Sequence, residues 1–437
     1  MSIQSRTPGP ARRFPPRPGT PELAILALIG MLALGAALLG GGAPRRSGPA
    51  VPAQVTPAHI ALVERRVEAL RGLRFAHPVP VAVVSPAQAR GDGLADFDRQ
   101  PAAARRATTE LLTLLGLLPP GSDLRRIESS VYGEQVAGYY DPRRRRLSLV
   151  RGAGVDDVTL AHELTHALED QHVDLGRLQG ARDDDASTAE QALVEGTATL
   201  VMERYAARWP SRAPLGDALA GLTQVTSATP LPQYTMRELI FPYLQGEQFA
   251  QALRDADGGG WALVDVAERA RPPRTTAEIL QPQRWLRAQQ PVAVSVVSAP
   301  PRAAGWRALA GSTLGEEDLA ALLAPQSGAL AARGLTGGWR GGRYALWRRG
   351  PLDDPRCGVP CRPRDALELA VALDGPASAR ALAAGLGSWM TQALHGRPLG
   401  GGAWRLRDGS AGAVRVRGAL VRAALAPDAA LARRLVR

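Results

Sequence analysis

The sequence predicts an α+β protein: a mainly helical region with a small antiparallel sheet over residues 58–290, then a small α+β domain over 291–437. Three observations point there. Before residue 290 the longest stretches repeat apolar residues at helical spacing. Two β-prone runs flank Asp141-Pro142 as a hairpin would. Beyond Pro291 short alternating runs follow one another with only two long helical stretches among them, which is how an antiparallel sheet with covering helices reads.

The elements follow in order. Residues 1–22 are rich in Pro and Arg (Arg6, Arg12, Arg13, Arg17) and read as a disordered leader. Residues 23–43 form an apolar and Gly run of about the 17–25 residues that span a bilayer. Four Arg precede the run and two follow it (Arg45, Arg46), so a single-pass signal-anchor with the bulk of the chain exported is expected. Cleavage near Gly41-Gly42-Ala43 and secretion is the alternative. A Pro/Gly/Ala linker covers 44–57.

Ile60, Val63, Val67 and Leu70 place a helix over 59–73, and Val79 to Val84 alternates like a strand. Ala102–Leu118 is helical and ends at Pro119-Pro120. The hairpin follows, with Arg143–Arg146 as a solvated tip. Asp156 and Asp157 are candidate caps of a helix running to about Leu175. Ser187-x-x-Glu190 reads as a capping box opening a helix to Trp209. Further helices are expected over 235–256 and 261–270, with a capped turn at Thr275. In the last domain the pattern predicts a helix over 314–333 and strands over 344–348 and 367–373. A helix over 377–394, strands near 404–407, 413–417 and 419–425, and a terminal helix follow. Cys357 and Cys361, the only cysteines, are expected to close a small disulfide loop in an exported protein.

All 53 basic residues are Arg, and Lys and Asn are absent, as codon usage in a GC-rich genome would produce. The Arg residues are mixed with Asp and Glu and build no aromatic-studded basic face, so no nucleic-acid partner is expected despite a net charge of +12.

The densest chemical information is His162-Glu163-Leu164-Thr165-His166. Residues i and i+4 of a helix stand one above the other, so His162 and His166 can hold one metal ion. Glu163 is then placed to take a proton from a metal-bound water. Zinc needs a third protein ligand, and two residues compete. His172 has the spacing of a third His, but that geometry wants Gly at position 169, where this chain has Glu169. Glu195, in an apolar stretch of the next helix, is preferred, since an unpaired acid would be costly there and an ion would offset that cost.

His162–His166 with Glu195-Gly196-x-Ala198 resembles the HExxH…EGxA signature of gluzincin zinc metallopeptidases. Residues 159–168, 136–141 (Val-Ala-Gly-Tyr-Tyr-Asp) and 241–246 (Phe-Pro-Tyr-Leu-Gln-Gly) are similar to poorly characterised exported bacterial gluzincin-like proteins, over about residues 55–290. The resemblance implies a zinc cofactor on His162, His166 and Glu195, with Glu163 as general base and peptide or protein substrates. A Tyr for the oxyanion, Tyr243 or Tyr205, and an edge strand near Val136–Tyr140 for binding substrate are implied too. Thermolysin-like relatives carry an Asp one turn past the Glu ligand, where this chain has Thr199, so Asp170 or Asp183–Asp185 is expected to support the ligands instead. An envelope scaffold with a structural ion, or a zinc amidase acting on cell-wall peptides, are the alternatives. Oligomeric state is not legible.

Overall fold

A computed structural model describes residues 55–131, 137–178, 183–209, 231–296, 305–351 and 357–437. The leader, the apolar segment 23–43 and nearly all of the linker lie outside these. Among the described residues, no helix is long and apolar enough to cross a membrane.

The protein is α+β. Its first part contains α1 (Pro57–Arg71), β1 (Val81–Val84), α2 (Pro86–Arg99), α3 (Ala102–Leu114) and α4 (Leu124–Val131). The hairpin β2 (Gly138–Asp141) and β3 (Arg146–Val150) leads into α5 (Asp157–Val173), α6 (Leu175–Leu178) and α7 (Asp184–Arg208). Four helices complete it: α8 (Gln233–Ala256), α9 (Ala262–Arg269), α10 (Thr276–Leu280) and α11 (Pro282–Leu286). The last part runs β4 (Trp306–Thr313), α12 (Glu316–Ser327), α13 (Ala329–Thr336), β5 (Trp339–Arg349) and β6 (Asp365–Leu373). It ends with α14 (Pro376–Gln392), β7 (Arg397–Gly400), β8 (Ala403–Arg405), β9 (Ala411–Arg417), β10 (Leu420–Ala426) and α15 (Ala429–Leu435).

The first sheet has the order β1-β3-β2. The hairpin is antiparallel as expected, but β1 pairs with β3 in parallel, so this sheet is mixed. The crossover through α2, α3 and α4 makes that possible, since a parallel neighbour needs a long connection. The second sheet, β4-β5-β6-β10-β9-β8-β7, is antiparallel throughout. The helices α12 and α14 cover one face through Leu319, Leu323, Leu382 and Leu386, and α15 covers the other through Leu431 and Leu435. Cys357 and Cys361 are disulfide-bonded.

Several boundaries differ from the sequence reading, for local reasons. The helix expected over 314–333 breaks at Gly328, whose φ of 81° suits glycine and stops α12. The Ser187-x-x-Glu190 box lies inside α7, which starts a turn earlier because the Asp183 side chain accepts from Ala186 N–H at 3.1 Å. Helix α2 was hidden by Gly91 and Gly93, and its Ser85 cap and Pro86 overcome their poor propensity.

The two parts share cores. Ala107, Leu114 and Leu115 of α3 and its C-cap pack into the core of the second sheet. The Trp389 indole donates to Leu115 O at 3.0 Å, and the buried Arg348 pairs with Glu110 at 2.7 Å and with Asp365. The first turn of α7 is fastened to the same domain. Thr313 Oγ1 donates to Asp183 at 2.6 Å and accepts from Asp185 N at 3.3 Å, and Tyr344 Oη donates to Asp184 at 3.0 Å; the Asp185 carboxylate accepts instead from Thr276 N of α10, in the first part, at 2.8 Å.

In the first part, α5 is buried on every side, against Val63 and Val67 of α1 and Leu147 of β3. Its start is set by Asp156, whose Oδ1 accepts from Val158 N and Thr159 N, both at 2.8 Å. Asp156→Ala is expected to cost about 1 kcal/mol, read as a lower urea midpoint with an unchanged slope. Farther along, Glu169 meets the buried Arg71 at 3.2 Å. That guanidinium also pairs with Glu268 at 2.9 Å and Asp265 at 2.7 Å and stacks on Trp261. The cluster ties α1, α5 and α9 together and keeps α5 straight through position 169.

Candidate metal centre

On α5, His162 and His166 turn their Nε2 atoms to one point, 3.1 Å apart. Glu195, eleven residues into α7, brings Oε2 to 3.4 Å from each. Zinc bonds of about 2.0–2.1 Å in a tetrahedron place neighbouring ligand atoms about 3.3 Å apart. The three donors therefore make the triangle that one such ion needs, and the two ring nitrogens and one carboxylate are a donor set zinc accepts. All three side chains are buried.

The electrostatics tell the same story. Burial lowers the pKa of His162. Burial also opposes charge on His166, but the Glu195 carboxylate outweighs it and His166 is pushed up to about 9. Burial works against ionising Glu195 as well, yet the imidazoles hold its pKa well below the usual carboxylate range. A positive charge belongs among these three groups. The Glu195 carboxylate favours positive charge on the imidazole beside it, and a metal ion can supply that charge instead.

Glu195 reaches this position because α7 and α8 cross with their backbones touching. A Cβ built on Gly196 would lie 2.0 Å from Gly246 C, and one on Gly246 would lie 1.9 Å from Ala192 O. Gly196 and Gly246 belong to the two motifs singled out in the sequence, and their shared purpose is this crossing.

Glu163 is one residue from the first ligand and buried, and its Oε2 accepts from Tyr140 N at 2.8 Å. Burial pushes its carboxyl up to about 8. Tyr140 stands on β2, an edge strand of its sheet, as the sequence reading placed it. Its hydroxyl donates to Asp170 at 2.8 Å, so one residue steadies Glu163 and the back of α5 together.

The two tyrosines separate. The Tyr243 ring lies 6.2 Å from the His162 ring, at the centre. Tyr205 is held at the start of α5, accepting from Arg66 at 2.8 Å and lying 3.3 Å from Asp157. His172 is no ligand: ten residues past His162 on an unbroken helix, it lies about 15 Å farther along the axis. It is exposed, and its Nε2 lies 2.8 Å from Arg74 O.

The expected support from Asp170 or the Asp183–Asp185 run is not there. Asp170 accepts from Tyr140 and from Leu175 N, Asp183 and Asp184 face the C-terminal domain, and the Asp185 carboxylate accepts from Thr276 of α10. Among the described residues neither imidazole Nδ1 has a hydrogen-bond partner. Thr199, where thermolysin-like chains carry Asp, donates to Glu195 O on its own helix at 2.6 Å. Sequence reasoning missed Arg71, Glu268 and the Tyr140 amide, because each acts through a long-range contact or through backbone, neither of which leaves a local pattern.

A model of a domain of unknown function, DUF8575, matches residues 307–435, which is the second sheet with its helices and excludes the metal centre. No curated protein and no solved structure has significant similarity to the chain.

Proposed function

We propose that the protein is a zinc-dependent hydrolase of peptide bonds, anchored by residues 23–43 and working at the outer face of the cytoplasmic membrane. The observation that carries this reading is the donor triangle of His162, His166 and Glu195 with the Glu163 carboxylate one residue away. A bound zinc ion would supply Lewis acidity, polarising the scissile carbonyl and making a water easier to deprotonate. Glu163, held by the Tyr140 amide, accepts that proton and returns it to the leaving amine. Tyr243, whose ring lies 6.2 Å from that of His162, is the donor this reading assigns to the developing oxyanion. β2 offers an edge on which an extended peptide can add as a further strand.

A second reading has an observation behind it. The depth at which all four polar side chains are buried suits a structural ion in an envelope scaffold. Against it, only three protein ligands converge among the described residues, whereas structural zinc sites use four. A cell-wall amidase would differ only in substrate.

The test is metal content together with cleavage. The full chain is expected to hold one zinc per molecule, to keep it in His172→Ala, and to bind it at least about 100-fold more weakly in Glu195→Gln. Groups that merely orient ligands are already worth about 10–100-fold. A mixed peptide library should be cut by the zinc-loaded protein and spared after chelation. Zinc retained at full affinity in Glu195→Gln, or no chelator-sensitive cleavage, would overturn the proposal.

A further inference from the structure

The two long helices that meet at the metal centre lead from it to a pocket that the C-terminal domain helps to build. α7 and α8 run side by side in the same direction: Gly196 lies against Gly246, and farther along Arg204 donates to Gln251 at 3.2 Å. Before that contact, toward their N-termini, both helices line a half-open pocket of 190 Å³.

Two rows of residues join pocket and centre. Ser187 and Gln191 line the pocket, and Glu195 is the next member of their row on α7. Thr235 and Leu239 line it from α8, and Tyr243 is the next member of theirs. Every step is four residues, so each row keeps to one face of its helix and advances about 6 Å per step. Along both helices the pocket therefore ends a single step short of the centre. One long side chain of a peptide held at the centre can bridge that gap.

Most of the remaining wall is apolar. α3 and α4 contribute Leu111, Leu115 and Ile127, and the C-terminal domain contributes Leu322, Tyr344 and Leu369. Acids stand in the wall as well, two of them engaged and two discharged. Tyr344 Oη donates to Asp184, and Gly315 N donates to Asp318 at 2.8 Å. Burial pushes the Glu128 carboxyl up to about 8. Burial, with the Asp318 and Glu317 carboxylates near by, pushes Glu238 up too. Carboxyls that keep their protons suit a neutral occupant.

An apolar cavity of about 150 Å³ takes up benzene, so this pocket has room for one aromatic or long aliphatic side chain. We propose, resting on the reading of the centre as a peptide hydrolase, that the pocket receives such a side chain from the substrate. The C-terminal domain thereby takes part in choosing the peptide.

The test pairs binding with cleavage. The full chain, after chelation, is titrated calorimetrically with N-acetyl-phenylalanine methylamide and N-acetyl-alanine methylamide. The phenylalanine probe is expected to bind at least about tenfold tighter, since a single methylene in an apolar pocket is already worth that much. Bonds cut in the mixed library by the zinc-loaded protein should be flanked by large apolar residues. Thr188→Trp fills the pocket from α7, and Leu322→Phe narrows it from the C-terminal domain. Each should bring the two probes to within about twofold, and if one variant does not fold the other carries the comparison. Equal affinities in the parent, or a preference left intact in a folded form of either variant, would sink the proposal. Probe preference without chelator-sensitive cleavage would uphold the pocket and discard the hydrolase reading. Cleavage indifferent to large apolar residues would keep hydrolysis and discard the pocket.

Discussion

Gly196→Ala is expected to destabilise the fold by about 3 kcal/mol and to abolish stoichiometric zinc binding. Two effects oppose each other at this residue. Alanine favours helix over glycine by about 1 kcal/mol, so on an uncrowded helix the change would stabilise. Here the added methyl would lie 2.0 Å from the Gly246 carbonyl carbon, and the obstacle is backbone that no side-chain rotation can clear. Relief requires α7 and α8 to move apart, and Glu195 is the residue next to the point of contact. Urea unfolding and zinc titration of the same sample check both halves. A variant as stable as the parent that binds zinc normally would show that the helices are not held at this separation.

Glu163→Gln is expected to lower kcat/KM for cleavage of a library-selected peptide by about 10²–10⁴-fold, the range for loss of a positioned general base. Glutamine keeps the size of the side chain and an oxygen to accept the Tyr140 amide, so fold and zinc content should be unchanged. That combination separates chemistry from structure. A variant that keeps zinc and more than about a tenth of the activity would remove Glu163 from the role of base.

The centre was more legible than the frame around it. His162, Glu163 and His166 lie within two turns of one helix, so their geometry follows from spacing alone. Glu195 was readable because an acid amid Leu193, Val194 and Leu200 needs a reason to be there. Rejecting His172 depended on the good helix former at position 169, and Glu169 does continue α5, with the added hold of Arg71. The groups expected to brace the imidazoles were misplaced, since contacts between distant segments leave no trace in local order. β4 was missed for a different reason: Trp-Arg-Ala-Leu-Ala-Gly-Ser-Thr has little β-branched character, and its pairing with β5 decides its state. The parallel placement of β1 was equally hidden, because four residues carry no sign of their neighbour's direction.

The anchorage of Asp183, Asp184 and Asp185 has a mechanical meaning. A single rod, α7, begins clamped between the C-terminal domain and α10 and presents its carboxylate three turns later beside two imidazoles. Severing the chain near residue 290 would leave the base of that lever without its socket. Strain applied to one lobe is thereby transmitted to the candidate metal centre of the other, and heat should melt both in a single cooperative step.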